Sequence, residues 1–361
     1  MIEVFHIISH FDLGGAERVA INIAKSKSEC FHYHIVEVVK SKSDYRYELI
    51  KEMDESGISY HCSPISNNKL SILLFPFWFI FIFLKYKPNI IHTHTEIPDL
   101  SIYWFSKLFC FAISRCALVR TIHNNQLWNK WKRIGKNVEK FYINKKSNIA
   151  ISKSTQKSYF REYGEMCSII FNGLNPVSQK TFPGIDNNKI NVLYAARLEY
   201  QKSPDVLARI IVELRDNDNL HFYIIGDGSM KSELLSSIKG CNNFSYYNKI
   251  YGLSSFLSSF DYLFMPSKFE GLALMPIEAS LANVPSIIND CVGLAETLPT
   301  DWPLKVSNND IQSYINIFNN LTKDNKILGE KAFKYASDFF SMKNMQNKYE
   351  EFYRKSINSI E

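Results

Sequence analysis

The chain has 361 residues, 46% of them apolar and 14% aromatic, with a formal net charge of +6. That length allows two domains with large cores, and so modest a charge does not call for nucleic acid. Neither zinc-finger spacing nor an RNP-like aromatic run occurs, so no nucleic-acid partner is expected. The seven cysteines include no C-x-x-C pair, which argues against a zinc site or a thioredoxin-type motif. Cys110 and Cys116 lie in an apolar aromatic stretch and read as packed thiols.

Residues 4–9 read as a first strand and 16–27 as a helix, with the apolar stripe Ala16, Val19, Ala20, Ile23 and Ala24 at helical spacing. Glu3 and His6 interrupt the start, and Asp12-Leu13-Gly14-Gly15 follows, which does not read as a signal peptide; a cytoplasmic, reduced location is expected. Residues 34–39 form a second expected strand. The stretch 70–84 is almost entirely apolar, but its fifteen residues fall short of the roughly 20 that span a bilayer, and Pro76 interrupts it. It reads as a buried or interface-embedded segment. Strands are expected at 90–92, 118–122, 148–151 and 168–171.

The basic, aromatic run 128–146 carries Trp128, Trp131 and seven cations. It reads as a solvated helix face or as an interfacial helix on anionic lipid. With 70–84 it sets the expectation of peripheral contact with an anionic membrane. A turn cluster at 172–176 and a polar loop at 183–188 then break the chain. After them the pattern restarts, with strands at 190–196, 220–225, 262–265 and 286–288 and helices at 204–215 and 230–239. The tail 342–360 is charged and helical. Alternation of this kind implies parallel β-α-β units and an α/β fold. The expected domains are 1–176 and 177–341.

The most informative stretch is Lys268-Phe269-Glu270-Gly271-Leu272-Ala273-Leu274-Met275-Pro276-Ile277-Glu278-Ala279. A buried strand precedes it. Pro276 suits a first helical turn, and Asn283 before Val284-Pro285 suits a left-handed helix end. Glu270 thus sits at the mouth of a strand and Glu278 near a helix start. Carboxylates can hold pairs of sugar hydroxyls, and free N–H groups at a helix start can hold a diphosphate. The stretch resembles the E-x7-E signature of retaining glycosyltransferases of family GT4, with the GT-B fold of two facing Rossmann-like domains, parallel sheets and an interdomain cleft. Leu13-Gly14-Gly15-Ala16-Glu17-Arg18, His92-Thr93-His94, Thr121-Ile122-His123-Asn124, Phe171-Asn172-Gly173, Ala196-Arg197-Leu198 with Lys202, and Gly226-Asp227-Gly228 extend the resemblance over nearly the whole chain. It departs where Leu272 and Ala273 replace the commoner Phe-Gly, and where Leu294 stands for the second glycine of a Gly-Gly-x-x-Glu pattern ending at Glu296.

The resemblance implies roles. Arg197 and Lys202 neutralise the donor diphosphate, whose charge grows as the glycosidic bond breaks. Glu270 orients the sugar hydroxyls and Glu278 the ribose. His123, just past a strand, lies against the transferred sugar. Gly14 and Gly15 form a loop near donor phosphate and acceptor. Gly226 and Asp227 lie on the base and ribose side, and Gly271, Leu272, Ala273 and Leu274 line the phosphate side. His92 and His94 share one face of a strand like a metal pair, yet no further ligand at metal spacing is evident, so hydrogen bonding or packing is expected and no metal. The resemblance also has residues 342–361 crossing back to the N-terminal domain.

The expected function is transfer of a hexose-type sugar, with retention, from a UDP- or GDP-sugar to a hydroxyl of a glycan or lipid-linked acceptor, as in bacterial surface polysaccharide synthesis. No cofactor beyond the donor is expected. The place expected is the cytoplasm, at the inner face of the cell membrane. Two rival readings are a sugar-nucleotide epimerase on the same fold and a silent glycan-binding or scaffold protein.

Overall fold

The computed structural model describes residues 1–12, 14–129 and 131–358. Leu13 of the glycine motif and Lys130 of the basic run therefore lie outside the described residues. The chain divides into two compact units, Met1–Gly173 with Met342–Glu361, and Leu174–Ser341.

The first unit runs β1 (Ile2–Ile8), α1 (Gly15–Ala24), β2 (Phe31–Glu37), α2 (Tyr45–Glu55), β3 (Ser59–His61), α3 (Asn68–Tyr86), β4 (Ile90–His94), α4 (Glu96–Leu108), α5 (Cys110–Ile113), β5 (Ala117–Ile122), α6 (Lys132–Asn144), β6 (Asn148–Ala150), α7 (Lys153–Tyr163) and β7 (Ser168–Ile169). The second runs β8 (Ile190–Ala195), α8 (Pro204–Glu213), β9 (Leu220–Ile225), α9 (Lys231–Ser237), β10 (Phe244–Tyr247), β11 (Tyr262–Met265), α10 (Leu274–Leu281), β12 (Ser286–Asn289), β13 (Lys305–Val306), α11 (Ile311–Asn319) and α12 (Lys326–Phe339). The last helix, α13 (Met342–Asn358), belongs to the first unit.

Each unit has one all-parallel sheet. The seven-stranded sheet has the order β3-β2-β1-β4-β5-β6-β7, and the six-stranded sheet the order β10-β9-β8-β11-β12-β13. In both, strand order reverses beside the first strand, between β1 and β4 and between β8 and β11. Helices cover both faces, so the central strands are buried: β8 and β11 bury nearly every residue, and β4 buries His92, Thr93 and His94 with its two isoleucines. One face of the first sheet carries a core with α1 and α13, where Val19, Ile23, Tyr349 and Tyr353 join Val4 and Ile35. The other carries Phe75, Phe79 and Phe83 of α3 with Ile102 and Phe105 of α4.

Local signals explain the helix ends. Asn67 caps α3, accepting the Leu70 N–H at 3.1 Å, and Ser152 caps α7 through Thr155 at 3.0 Å. Pro204 opens α8, and Asn283, at φ 59°, closes α10. Two expectations need correcting. Pro76 does not interrupt the apolar segment; it sits inside the 19-residue α3, where the Trp104 indole donates to the Leu73 carbonyl at 3.2 Å in the turn that the proline disturbs. Cys116 is a packed thiol, but Cys110 is exposed.

Candidate active site

In open parallel sheets a ligand binds beyond the carboxyl ends of the strands, where strand order reverses. In the second unit that place is framed by the loops after β8 and β11. Lys202, in the β8 loop, places Nζ on Glu270 Oε1 in the β11 loop. Both side chains are largely buried, with 15% and 8% of their surface exposed. Gln201 ties the same two loops together. Its side-chain amide donates to the Phe269 carbonyl at 2.9 Å and to Glu270 Oε2 at 3.2 Å, and its carbonyl accepts the Lys268 N–H at 2.8 Å.

A third loop, after β12, supports Glu270 from behind. The Glu270 N–H donates to the Val292 carbonyl at 2.9 Å and the Ala273 N–H to the Gly293 carbonyl at 3.2 Å. Gly293 has φ 79°, and a Cβ there would lie 2.0 Å from the Glu270 carbonyl oxygen. Only glycine meets both demands. Leu294, which departs from the family's glycine, is fully buried among Met265, Ala273, Ile288 and Trp302. Its side chain fills a core position.

The amino end of α10 begins beside this pair. Ala273 occupies the N-cap, and no side chain caps the first turn. The first-turn N–H groups are left to an anion or water. Ala273 itself gives its N–H to Gly293, so the anion-facing amides belong to the helix proper. Leu272 is buried and Leu274 is the first helical residue. Glu278 follows one turn later, half-buried.

Arg197 is exposed at the end of β8. It makes no ion pair among the described residues, so its guanidinium is available to a phosphate. Gly226 and Gly228 have structural reasons to be glycine. A Cβ on Gly226 would meet the Ala196 carbonyl oxygen at 1.9 Å and one on Gly228 the Leu198 carbonyl oxygen at 2.5 Å. The close approach is sealed by the Leu198 N–H to the Asp227 carbonyl at 2.9 Å. The Asp227 carboxylate lies 3.8 Å from Lys231. The Gly226–Gly228 turn therefore scaffolds the Arg197 loop from the side of β9.

In the first unit, Gly14 and Gly15 follow β1 at the corresponding reversal of strand order. Gly14 is the N-cap of α1, and a Cβ there would lie 2.0 Å from Glu17 Oε2. Burial pushes the Glu17 carboxyl up to about 7, with nearby Asp12 adding to the rise. Around a Cβ built on Gly15, nothing lies within 4 Å; packing gives no reason for glycine there. Thr95 stands across from this loop, its hydroxyl 2.8 Å from Ser9 Oγ. Its φ of 77° and ψ of 169° fall in a region that non-glycine residues rarely occupy.

His123, after β5, is held by a chain of histidines. Its Nε2 lies 3.1 Å from His94 Nδ1, and His94 Nε2 lies 2.9 Å from His6 Nδ1. His92 is hydrogen-bonded at 2.7 Å to both Tyr353 and Thr121. Burial lowers His6 and His123 to about 3 and holds His92 and His94 well below the usual imidazole range. At neutral pH each ring carries one proton, so the chain fixes the orientation of the His123 ring. His6, His92 and His94 place donor atoms within 4.8 Å of one another, as a metal site would. All three are fully buried, and their nitrogens serve these hydrogen bonds.

The basic run needs a correction. Trp128 is buried, not interfacial: its indole N–H donates to Glu139 Oε1 at 2.5 Å, and its ring covers Gly135, where a Cβ would meet it at 2.3 Å. Glu139 in turn grips the buried Arg120 through both oxygens at 2.7 Å. Trp131 is partly buried in the same cluster. Lys132, Arg133, Lys136 and Lys140 remain exposed along α6.

Sequence reasoning missed Gln201, Gly293 as the support of Glu270, Thr95, Glu17 and the link from His6 to His94. Only Gly293 and Glu17 carried a local signal, because each lay inside a quoted motif. The others act across distances of 69 to 88 positions along the chain.

Two parallel sheets, each with loops and helix starts gathered at its strand-order reversal, define the GT-B class. Residues 13–177 match the family described as Glycosyltransferase Family 4, and residues 189–324 match Glycosyl transferases group 1. The chain belongs to this family of group 1, GT4-type glycosyltransferases. A 41.2 kDa protein of the cps region of Klebsiella pneumoniae is 28% identical over 177 residues, 47% of this chain and 48% of the relative; the chain spans about half the length of that relative. The capsular polysaccharide biosynthesis glycosyltransferase CapH of Staphylococcus aureus is 25% identical over 299 residues, 78% of this chain and 80% of CapH. Among solved structures, Anabaena Alr3699/HepE in complex with UDP-glucose has a TM-score of 0.77 at 17% identity, over 98% of this chain and 100% of that one, a likeness of fold.

Proposed function

We propose that this chain transfers a hexose-type sugar, with retention of configuration, from a UDP- or GDP-sugar to a hydroxyl of a glycan or lipid-linked acceptor. The observation that carries the reading is the buried Lys202–Glu270 pair beside the uncapped start of α10, at the strand-order reversal of the second unit. A carboxylate, an ammonium and open helix amides in one place match a donor that presents hydroxyls on one side and a diphosphate on the other. Lys202 and Arg197 would stabilise the departing diphosphate, and Glu270 would hold sugar hydroxyls. Glu278 would take the ribose, and His123 the sugar from the acceptor side. Retention would follow from front-face displacement without a stable enzyme adduct, with the diphosphate helping to take the acceptor proton. In this reading the donor is the sole small molecule required. CapH, named for capsular polysaccharide biosynthesis, and the UDP-glucose complex of a protein of the same fold support it.

The reading extends to the inner face of the cell membrane. The outer face of α3 exposes Leu73, Phe77, Phe81 and Leu84. The cationic face of α6 is exposed too, and both helices pack against α4. An apolar face beside a basic one suits an anionic lipid surface carrying a lipid-linked acceptor.

The test is incubation of the purified chain with labelled UDP- and GDP-sugars and extracted lipid-linked glycans, with the product's anomeric configuration read by NMR. Transfer with retention is expected. Neither transfer nor donor hydrolysis across the panel would sink the reading, and an inverted product would remove retention alone.

A further inference from the structure

At the opposite end of the first sheet, the strands begin with a second group of ligand-type side chains. Glu3 on β1 faces His32 and His34 on β2. Glu3 Oε2 accepts from His32 Nδ1 and from His34 Nε2, each at 2.9 Å. The three donor atoms all lie within 4.8 Å of one another. The His34 side chain has no exposed surface, while His32 and Glu3 keep 36% and 24% of theirs. The group is thus closed on one side and open to solvent on the other. Backbone hydrogen bonds pin Glu3: its N–H donates to Asn89 Oδ1 and its carbonyl accepts the Asn89 N–H, both at 2.9 Å.

We infer that Glu3, His32 and His34 form a binding site for a zinc-like divalent transition ion, independent of the sugar-nucleotide site. The donor set of two imidazoles and one carboxylate suits zinc and its neighbours rather than magnesium or calcium, which take all-oxygen shells. Tetrahedral bonds of about 2.0–2.1 Å place ligand atoms about 3.3 Å apart. The two carboxylate–imidazole separations of 2.9 Å need to widen by only a few tenths of an ångström, and the two ring nitrogens already lie within 4.8 Å of each other.

The decisive feature is the second partner of each ring. An ion would take the lone pairs of His32 Nδ1 and His34 Nε2, so each ring would carry its hydrogen on the other nitrogen. There, Ser59 Oγ lies 3.4 Å from His32 Nε2, and His61 Nε2 lies 3.0 Å from His34 Nδ1. Both rings can exchange tautomers without losing a partner, as ligating histidines require. Phe5 and Tyr86 hold the His34 ring at centroid distances of 4.5 and 4.7 Å. The open side leaves a fourth position for water. At about 3.3 Å per residue, Glu3 lies roughly 17 Å along β1 from the end that leads to Gly14. An ion here would staple β1 to β2 rather than take part in sugar transfer.

The full-length protein, stripped with a chelator, is titrated with Zn2+ by calorimetry and then melted with and without the ion. One ion per chain and a raised melting temperature are expected. Glu3→Gln and His32→Ala alter the two half-buried ligands, and each should weaken zinc binding tenfold or more while melting without metal much as the parent does. If His32→Ala unfolds, Glu3→Gln decides. Failure of the parent to bind one ion, or weakening of less than tenfold in the deciding variant, would overturn the inference. The readout is binding, so it does not depend on whether sugar transfer is found.

Discussion

At the scale of single residues, Lys202 and Glu270 do two things at once. Each is the other's countercharge in a largely buried place, and each is assigned to the donor. Removing one partner leaves an uncompensated buried charge, which costs about 3–5 kcal/mol, whereas replacing both by neutral groups of similar size is far less costly. Lys202→Met alone should therefore lower the urea midpoint strongly, and adding Glu270→Gln should restore most of it. Transfer should remain lost in the double variant. A double variant as unstable as the single one would show that the pair does not balance its own charge; one that keeps full activity would remove both from the donor site.

Gly15 gives the converse case. Its position is open and helical, so Gly15→Ala should leave stability unchanged or raise it by about 0.4–1 kcal/mol. If the space is kept for donor or acceptor, transfer should nevertheless fall. Full activity in a variant of at least parental stability would make Gly15 a plain turn residue.

At the scale of elements, the sequence was most legible where burial is complete. The runs behind β8, β9 and β11 are mostly apolar, broken only by Asn191 and His221. The edge strands of the second sheet were not legible. β10 is half-exposed along its length and β13 has two residues, so neither leaves a burial pattern. Trp128 misled for a related reason. An aromatic among cations looks the same whether its N–H meets headgroups or, as here, a buried glutamate 11 positions on. The Lys202–Glu270 pair was legible only as two separate motifs, because nothing local announces a contact across 68 positions.

α3 invites a test at the same scale. It is long and apolar enough to cross a membrane by length and composition, yet a third of its most apolar window is buried inside the unit. Its two faces should answer differently. Phe77→Ser with Phe81→Ser should reduce binding to anionic vesicles and leave the melting temperature nearly unchanged, since both rings are exposed. Phe79→Ser buries an unsatisfied hydroxyl among Phe5, Phe75 and Phe105 and should destabilise the fold by several kcal/mol. Charge reversal at Lys132, Arg133 and Lys136 should remove the salt-sensitive part of vesicle binding. A parent chain that ignores anionic vesicles at low salt would end the membrane reading.

At the scale of the whole molecule, the linked histidines of the first unit couple stability to pH. In the unfolded chain His6, His92, His94 and His123 would titrate near 6.5. In the folded unit burial holds His6 and His123 at about 3 and lowers the other two well below normal. Below pH 6.5 the unfolded state therefore binds more protons. The associated stability is complete above that pH and drains away as pH falls toward 3. For His6 alone the loss reaches about 2 kcal/mol by pH 5. Tyr33, Tyr349 and Tyr353, which pack around the group, stay neutral throughout, since burial raises all three. Glu17, raised to about 7, takes up its proton in the fold over the same range and offsets part of this loss. Denaturation midpoints followed from pH 7 to 4 should still fall, because four rings outweigh one carboxyl, and a flat profile would show that the rings do not stay neutral in the fold.

The return of α13 to the first unit has a consequence for how the chain is made. Its Met345, Tyr349 and Tyr353 are buried in a core whose other side chains come from the first 170 residues, and Tyr353 completes the hydrogen bonding of His92. Between those two pieces lies the whole of Leu174–Ser341, which leaves and re-enters beside itself where Leu174 bridges Ser341. Ribosomes deliver roughly 5–20 residues per second, so the intervening 168 residues occupy roughly 8–34 s of synthesis. For that interval the first unit exists with an open apolar groove in place of a helix. The unit that emerges first is thus the one that closes last, and the nascent chain must shelter that groove, by chaperone or by transient collapse, until the second unit is already complete.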